Sequence, residues 1–361
     1  MIAGTRICGA GHLTLLPAAR SSPNHSLPTR FSRNIFLMPN RTRLMLSAKM
    51  DPLLIHLLEN DDRFDVRNHP CETAEELVGN IRDAEILVSR YETRVSRRVI
   101  EAGADLRLVV QGTSGLDNID HAAAAERGVA IVGLPGLNAN AVAELVISHM
   151  ISLTRTVGFY DGMVRRKEWS RSDCMSRREL RAHRIGIVGL GNVGGSVARL
   201  AGHFGAISSA YDPYITEAQA RQRGARLVPT LGEILETSDI LTLHIPLTDE
   251  TRGMIGAAEL DRLPERAFVI NTSRGPVVDV NAILDRLCRS RLAGAALDVF
   301  DPEPPEEINW PAVPNLILTP HIAGCTREAK ESVARKVFDV VSEWVARRRA
   351  SNDQSSEIRN Q

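Results

Sequence analysis

Residues 184–200 read RIGIVGLGNVGGSVARL: a short apolar run, a turn holding three glycines, then a stretch whose apolar residues recur at helical spacing. Gly189, Gly191 and Gly194 stand in G-x-G-x-x-G spacing. In a strand–turn–helix unit the first glycine makes the tight turn, the second admits a pyrophosphate close to the backbone, and the third lets helix and strand pack closely. The helix N-terminus then offers free N–H groups to phosphate. The same spacing also occurs in ordinary glycine-rich turns, so the flanking sequence has to decide. The next apolar run, 208–211, ends at Asp212, 21 residues past Gly191, where a dinucleotide fold places the acid that bonds the adenosine ribose hydroxyls. A carboxylate there repels a 2′-phosphate and favours NAD over NADP. An Asp-Pro turn at a strand end and an S-adenosylmethionine site are the alternatives these two signals leave open.

Outward from this unit the chain keeps alternating apolar runs with amphipathic stretches. Toward the C-terminus the runs 240–245, 267–271, 294–298 and 316–319 are predicted to be parallel strands buried on both faces. Toward the N-terminus 53–58, 86–89, 106–111 and 129–133 form a second series, with helices predicted over 73–82 and 96–102. The fold class is therefore α/β, with two Rossmann-like, doubly wound parallel sheets. A long helical stretch, 141–167, lies between the two series, and a closing helix over 326–347 is expected to pack back on the first.

Composition removes other classes of function. Lys plus Arg and Asp plus Glu each number 44, which leaves no electrostatic argument for nucleic acid or an anionic membrane as partner. No run of about 18 apolar residues is available to span a bilayer. The even balance conceals a bias, because Arg6, Arg20, Arg30, Arg33, Arg41, Arg43 and Lys49 all precede the first acid, Asp51. Residues 1–49 read as a basic leader: a tail without fixed fold, the product of a start upstream of Met50, or an organelle transit peptide. The cysteines Cys8, Cys71, Cys174, Cys288 and Cys325 are odd in number and widely spaced, so neither a disulfide framework nor a metal site is expected. A cytoplasmic location follows most simply, or an organellar one if the leader is a transit peptide.

Three later segments each put one chemically capable residue at the carboxyl end of an apolar strand, where open α/β sheets present their ligands. They carry Arg274, Glu303 and His321. An arginine binds a carboxylate bidentately and polarises a neighbouring carbonyl, a histidine delivers a proton, and an acid holds that histidine charged and oriented. That set suits the reduction of a small 2-oxo acid. Singly, each residue also fits a surface ion pair, a loop acid or a helix-start histidine.

Over residues 51–347 the chain resembles the D-isomer-specific 2-hydroxyacid dehydrogenase family. The resemblance rests on GLDNID (115–120), NAVAE (140–144), GLGNVG (189–194), HIPLT (244–248), NTSRG (271–275), DVFDPEP (298–304) and PHIAG (320–324). It implies an NAD-dependent oxidoreductase whose active site lies in the cleft between a discontinuous substrate domain, 50–146 with 325–349, and an NAD domain, 147–324, followed by a polar tail over 350–361. It assigns substrate binding to Arg274, acid/base catalysis to His321 and tuning of His321 to Glu303. Backbone N–H groups of Ser114 and Gly115 are implied to meet the substrate carboxylate. Cofactor contacts are implied for Gly189, Gly191, Asn192, Val193, Gly194, Asp212, Ile245, Pro246, Thr272, Ser273, Gly324 and Asp298, the last on the carboxamide. The resemblance also implies a homodimer formed through the coenzyme domain. Members that serve as NAD-sensing corepressors keep the same three residues, so a binding protein is the rival reading.

Two departures from the family pattern stand out: Gln111 where a basic residue or glycine is frequent, and an end 40 residues after His321, which implies a short form without a regulatory domain. Arg90 and Tyr91, after the 86–89 run, are placed by topology at the cleft, either selecting the substrate side chain or forming a solvated loop pair. His149 reads as a core or interface histidine, and Cys325 as an inert small residue.

Overall fold

The computed structural model describes residues 41–113, 115–171, 174–306, 308, 310–313 and 315–359, with side chains as far as Ser351. The first half runs β1 (Thr42–Leu46), α1 (Pro52–Glu59), β2 (Phe64–Asn68), α2 (Ala74–Asn80), β3 (Ile86–Ser89), α3 (Arg97–Ala102), β4 (Leu108–Gln111), α4 (His121–Glu126) and β5 (Ala130–Gly133). These strands form one parallel sheet in the order β2-β1-β3-β4-β5. Every residue of β3 and β4 is buried, as continuous apolar strands covered by helices on both faces must be.

The second half follows as α5 (Ala139–Arg155), α6 (Val157–Arg165), β6 (Arg184–Val188), α7 (Asn192–His203), β7 (Ile207–Tyr211), α8 (Glu217–Gln222), β8 (Arg226–Leu227), α9 (Leu231–Thr237), β9 (Ile240–Leu243), α10 (Ala257–Asp261), β10 (Ala267–Asn271), α11 (Val280–Cys288), β11 (Leu292–Leu297), β12 (Leu316–Leu318) and α12 (Arg327–Arg359). Its seven strands are also all parallel, ordered β8-β7-β6-β9-β10-β11-β12. In both sheets the order reverses beside the first strand of the half, between β1 and β3 and between β6 and β9. Those switch points open crevices at the carboxyl ends of the strands.

Three expectations are corrected. The basic leader does not run to residue 49: Thr42–Leu46 is β1, paired on both sides, with Leu44, Met45 and Leu46 buried. The run 53–58 is helix, not strand, because Asp51 caps it by accepting from Leu53 N–H at 2.9 Å and Pro52 fits the first helical turn. Its Leu54 and Leu58 then bury one turn apart against Val337, Val341 and Val345 of α12. The stretch 141–167 is two helices, broken at Thr156, whose φ of 50° is left-handed. Val142, Ala143, Val146 and Ile147 of α5 all belong to the core of the second sheet. α12 runs on through the polar residues after 350 to Arg359.

Candidate active site

The glycine turn is built for close approaches. Gly189 has φ +86°, and a Cβ there would meet the His244 carbonyl at 2.6 Å and Ile245 Cγ2 at 2.6 Å. A Cβ on Gly194 would run into the Gly189 carbonyl, so the first turn of α7 lies directly on the end of β6. Over Gly191 there is open space, with nothing within 4 Å of a Cβ. Asp212, at the end of β7, is fixed by two backbone donors, Leu190 N–H at 2.9 Å and Tyr214 N–H at 3.0 Å. Across the switch point Thr272 leaves a buried hydroxyl without a hydrogen-bond partner. An open backbone at a helix N-terminus, a carboxylate fixed 21 residues on and an orphaned hydroxyl are what a dinucleotide would fill. Burial pushes the His244 imidazole down to about 3. It is therefore neutral beside this crevice, its Nε2 at 3.0 Å from Thr242 Oγ1.

The chemistry-bearing side chains gather at the edge of the same crevice. His321 Nδ1 lies 2.8 Å from Glu303 Oε2, and Glu303 Oε1 accepts from Phe300 N–H at 3.0 Å. Burial alone would raise the Glu303 carboxyl. The His321 hydrogen bond, the Phe300 amide and the charges of His321 and Arg274 outweigh it and hold the group below the ordinary glutamate range. With Nδ1 engaged, Nε2 is the nitrogen available to the cleft. His321 has φ 53°, a left-handed conformation that a non-glycine residue keeps only where its surroundings impose it.

Asp298 supplies that constraint. Fully buried at the end of β11, it accepts from Thr319 Oγ1 at 2.6 Å, Ile322 N–H at 2.9 Å and Ala323 N–H at 2.9 Å, and its carbonyl takes His321 N–H at 2.8 Å. These bonds brace the His321 turn from the end of β11.

Arg274 reaches across the cleft. Its Nη2 lies 3.2 Å from Asp117 Oδ1, its Nε 3.3 and 3.4 Å from the two Asp117 oxygens, and its Nη1 donates to Ser273 O at 2.8 Å. Gly115 lies flat against this guanidinium, where any Cβ would collide with it. Ser273 is turned inward, its N–H and hydroxyl both donating to Asn271 Oδ1, while Asn271 Nδ2 supports the Arg274 carbonyl at 2.9 Å. Ser114 lies outside the described residues. Arg274, Glu303, His321, Gly115 and Gly324 line one cavity of about 730 Å³ together with Arg90, Tyr91 and Asp117. The sequence reading did not single out Asp117 or Asn271, although Asp117 stands within the GLDNID string.

A doubly wound dinucleotide crevice with an Arg–Glu–His cluster at its mouth, facing a second parallel-sheet domain, defines the two-domain class of NAD-linked oxidoreductase folds. The chain belongs to the D-isomer specific 2-hydroxyacid dehydrogenase family: residues 147–323 match the model of its NAD binding domain. The hydroxypyruvate reductase of Thermotoga maritima is 31% identical over 304 residues, covering 83% of this chain and 97% of the relative. The D-3-phosphoglycerate dehydrogenase of Methanocaldococcus jannaschii is 35% identical over 280 residues, covering 78% and 53% respectively. The chain spans about half the length of the phosphoglycerate dehydrogenases it matches first. Among solved structures, a glyoxylate reductase from Paecilomyes thermophila aligns with a TM-score of 0.78 at 26% identity over 85% of this chain and 96% of the other.

Proposed function

We propose that this chain transfers a hydride between NAD(H) and C2 of a small D-2-hydroxy acid or its 2-oxo acid. The observation that carries the reading is the Glu303–His321 pair, 2.8 Å apart, lining one cavity with Arg274. The glycine turn, Asp212 and Thr272 would hold NADH, which when bound would supply the hydride. Arg274 binds the substrate carboxylate and polarises the adjoining carbonyl. His321 gives the proton on Nε2 to the carbonyl oxygen as the alcohol forms and recovers it in the reverse direction. Glu303, ionised throughout, holds Nδ1–H and compensates the imidazolium charge. His244, neutral, adds no positive charge beside the crevice.

Asp212 supports NAD over NADP, since a 2′-phosphate would meet its carboxylate. The unpaired thiols of Cys71, Cys174, Cys288 and Cys325 fit a reducing, cytoplasmic compartment. No helix among the described residues is long and apolar enough to cross a membrane. The helix α6 buries none of its residues and leaves Val157, Phe159 and Val164 exposed, with Trp169 beyond it. These exposed apolar side chains support a homodimer through the coenzyme half.

The test is NADH oxidation by the purified full chain against glyoxylate, hydroxypyruvate, pyruvate and 3-phosphohydroxypyruvate, with His321→Ala alongside. Turnover that requires His321 supports the reading. NADH binding without turnover on any of the four acids overturns it in favour of an NAD-sensing protein.

A further inference from the structure

The Tyr91 ring stacks on the His321 imidazole, centroids 4.8 Å apart and planes 26° from parallel. The two residues come from different halves, Tyr91 from the loop after β3 and His321 from the loop after β12. Tyr91 is 40% exposed, yet its loop is pinned. The Asn118 side-chain amide donates to the carbonyls of Arg90 at 3.0 Å and Thr93 at 2.9 Å, and Gln111 Nε2 in turn donates to Asn118 Oδ1 at 2.8 Å. Thr93 Oγ1 closes the other end on Cys71 O at 2.7 Å. A solvated loop pair needs no such bracing. The imidazole is therefore held at one edge by a carboxylate and across one face by an aromatic ring, with Nε2 left toward the cleft.

An aromatic face over an imidazole restricts ring rotation and attracts a positive charge through its quadrupole. We propose that Tyr91 is a positioning residue for His321, clamping the plane of the imidazole and favouring the protonated form that gives its proton to a 2-oxo acid. The inference rests on the reading of His321 as proton donor given above. The other groups around the imidazole act differently. Glu303 holds Nδ1, Asp298 fixes the turn through backbone contacts, and the Cys325 thiol approaches the His321 carbonyl at 3.8 Å. Arg274 acts on Glu303, and Arg90 and Glu92 pair with each other at 3.3 Å beside Tyr91. Desolvation first, then the charges of Glu92 and Glu303, raise the Tyr91 phenol, so the ring is neutral wherever the reaction runs and works through its face.

Full pH profiles of kcat and KM across roughly pH 5.5–9.5 test this, using the acid of the panel that turns over fastest, for wild type, Tyr91→Phe, Tyr91→Leu, Tyr91→Met and His321→Ala. Tyr91→Phe keeps the ring and is expected to stay within about twofold of wild type. Tyr91→Leu and Tyr91→Met are expected to lower kcat about three- to tenfold at neutral pH and to move the alkaline limb of the reductive profile about half a unit toward acid, with KM for NADH unchanged. The methionine variant fills similar space and stands in if the leucine variant fails to fold. Profiles of Leu and Met variants superimposable on wild type, or a change confined to the KM of the oxo acid, overturn the proposal while leaving His321 its role. A phenylalanine variant as impaired as the leucine variant also overturns it, by assigning the effect to the hydroxyl. Turnover that survives His321→Ala, or none with any acid, overturns the functional reading itself and the proposal with it.

Discussion

Arg274 and Asp117 form an ion pair that joins the two halves of the molecule across the cleft, Nη2 to Oδ1 at 3.2 Å with Nε also in reach. The pair holds the guanidinium side-on through Nε and Nη2, while Nη1 is fixed on Ser273 O. Both side chains are partly exposed, 28% and 39%, and pairs of that kind contribute at most about 1 kcal/mol to stability. The consequence is kinetic. Asp117→Asn is expected to raise KM for the oxo acid about tenfold while leaving the melting temperature almost unchanged. Steady-state kinetics and a thermal melt check it, and a fall in KM would show instead that Asp117 competes with the substrate.

Arg274→Lys removes the planar fork and leaves a point charge. Loss of bidentate carboxylate binding together with carbonyl polarisation is expected to lower kcat/KM by about two to three orders of magnitude. NADH affinity, read from fluorescence titration, is expected to stay at the wild-type value because Arg274 lies outside the glycine crevice.

The depressed Glu303 carboxyl has a signature in acid. A group whose folded value lies below its unfolded one adds stability above the ordinary carboxylate range and loses it as pH falls through the lowered value. Glu303→Gln is therefore expected to melt below wild type at neutral pH, and the gap is expected to close below about pH 4. Melts at a series of acidic pH values test the sign. A gap that widened on acidification would contradict it.

Asp212→Ala is expected to cost about tenfold in NADH affinity and to improve NADPH, because it removes both the ribose acceptor and the repulsion of a 2′-phosphate. Parallel titrations with the two cofactors measure the ratio, and an unchanged ratio would assign Asp212 to bracing Leu190 and Tyr214 alone.

What could be read from the sequence was local. The glycine turn, Asp212 and the strand-end positions of Arg274, Glu303 and His321 depend on spacing within single β–turn–α units, and spacing is written in the chain. The run 53–58 is ambiguous because five apolar residues around His56 suit either a buried strand or one face of a helix; the Asp51-Pro52 cap is what separates them. β1 is masked by its arginine neighbours, and β2, FDVRN, buries only Phe64, too little for an apolar signal. Asp117 and Tyr91 gain their roles from residues of the other half, Arg274 lying 157 positions from Asp117. No periodicity reports such a contact, and the same holds for the task of Gln111, which is to anchor Asn118.

The backbone crosses between the halves twice, once through 134–138 and once through 319–326, and the two crossings touch, since Gly324 lies against the side chain of Asn138. Adjacent crossings act like the pin of a door: points near them barely travel when the leaves swing, and points far off sweep the widest arc. His321 sits three residues from that pin, and Glu303 rides on the same leaf. Any opening of the cleft would therefore move the proton-handling pair least, and would show first in the reach of Asp117 to Arg274.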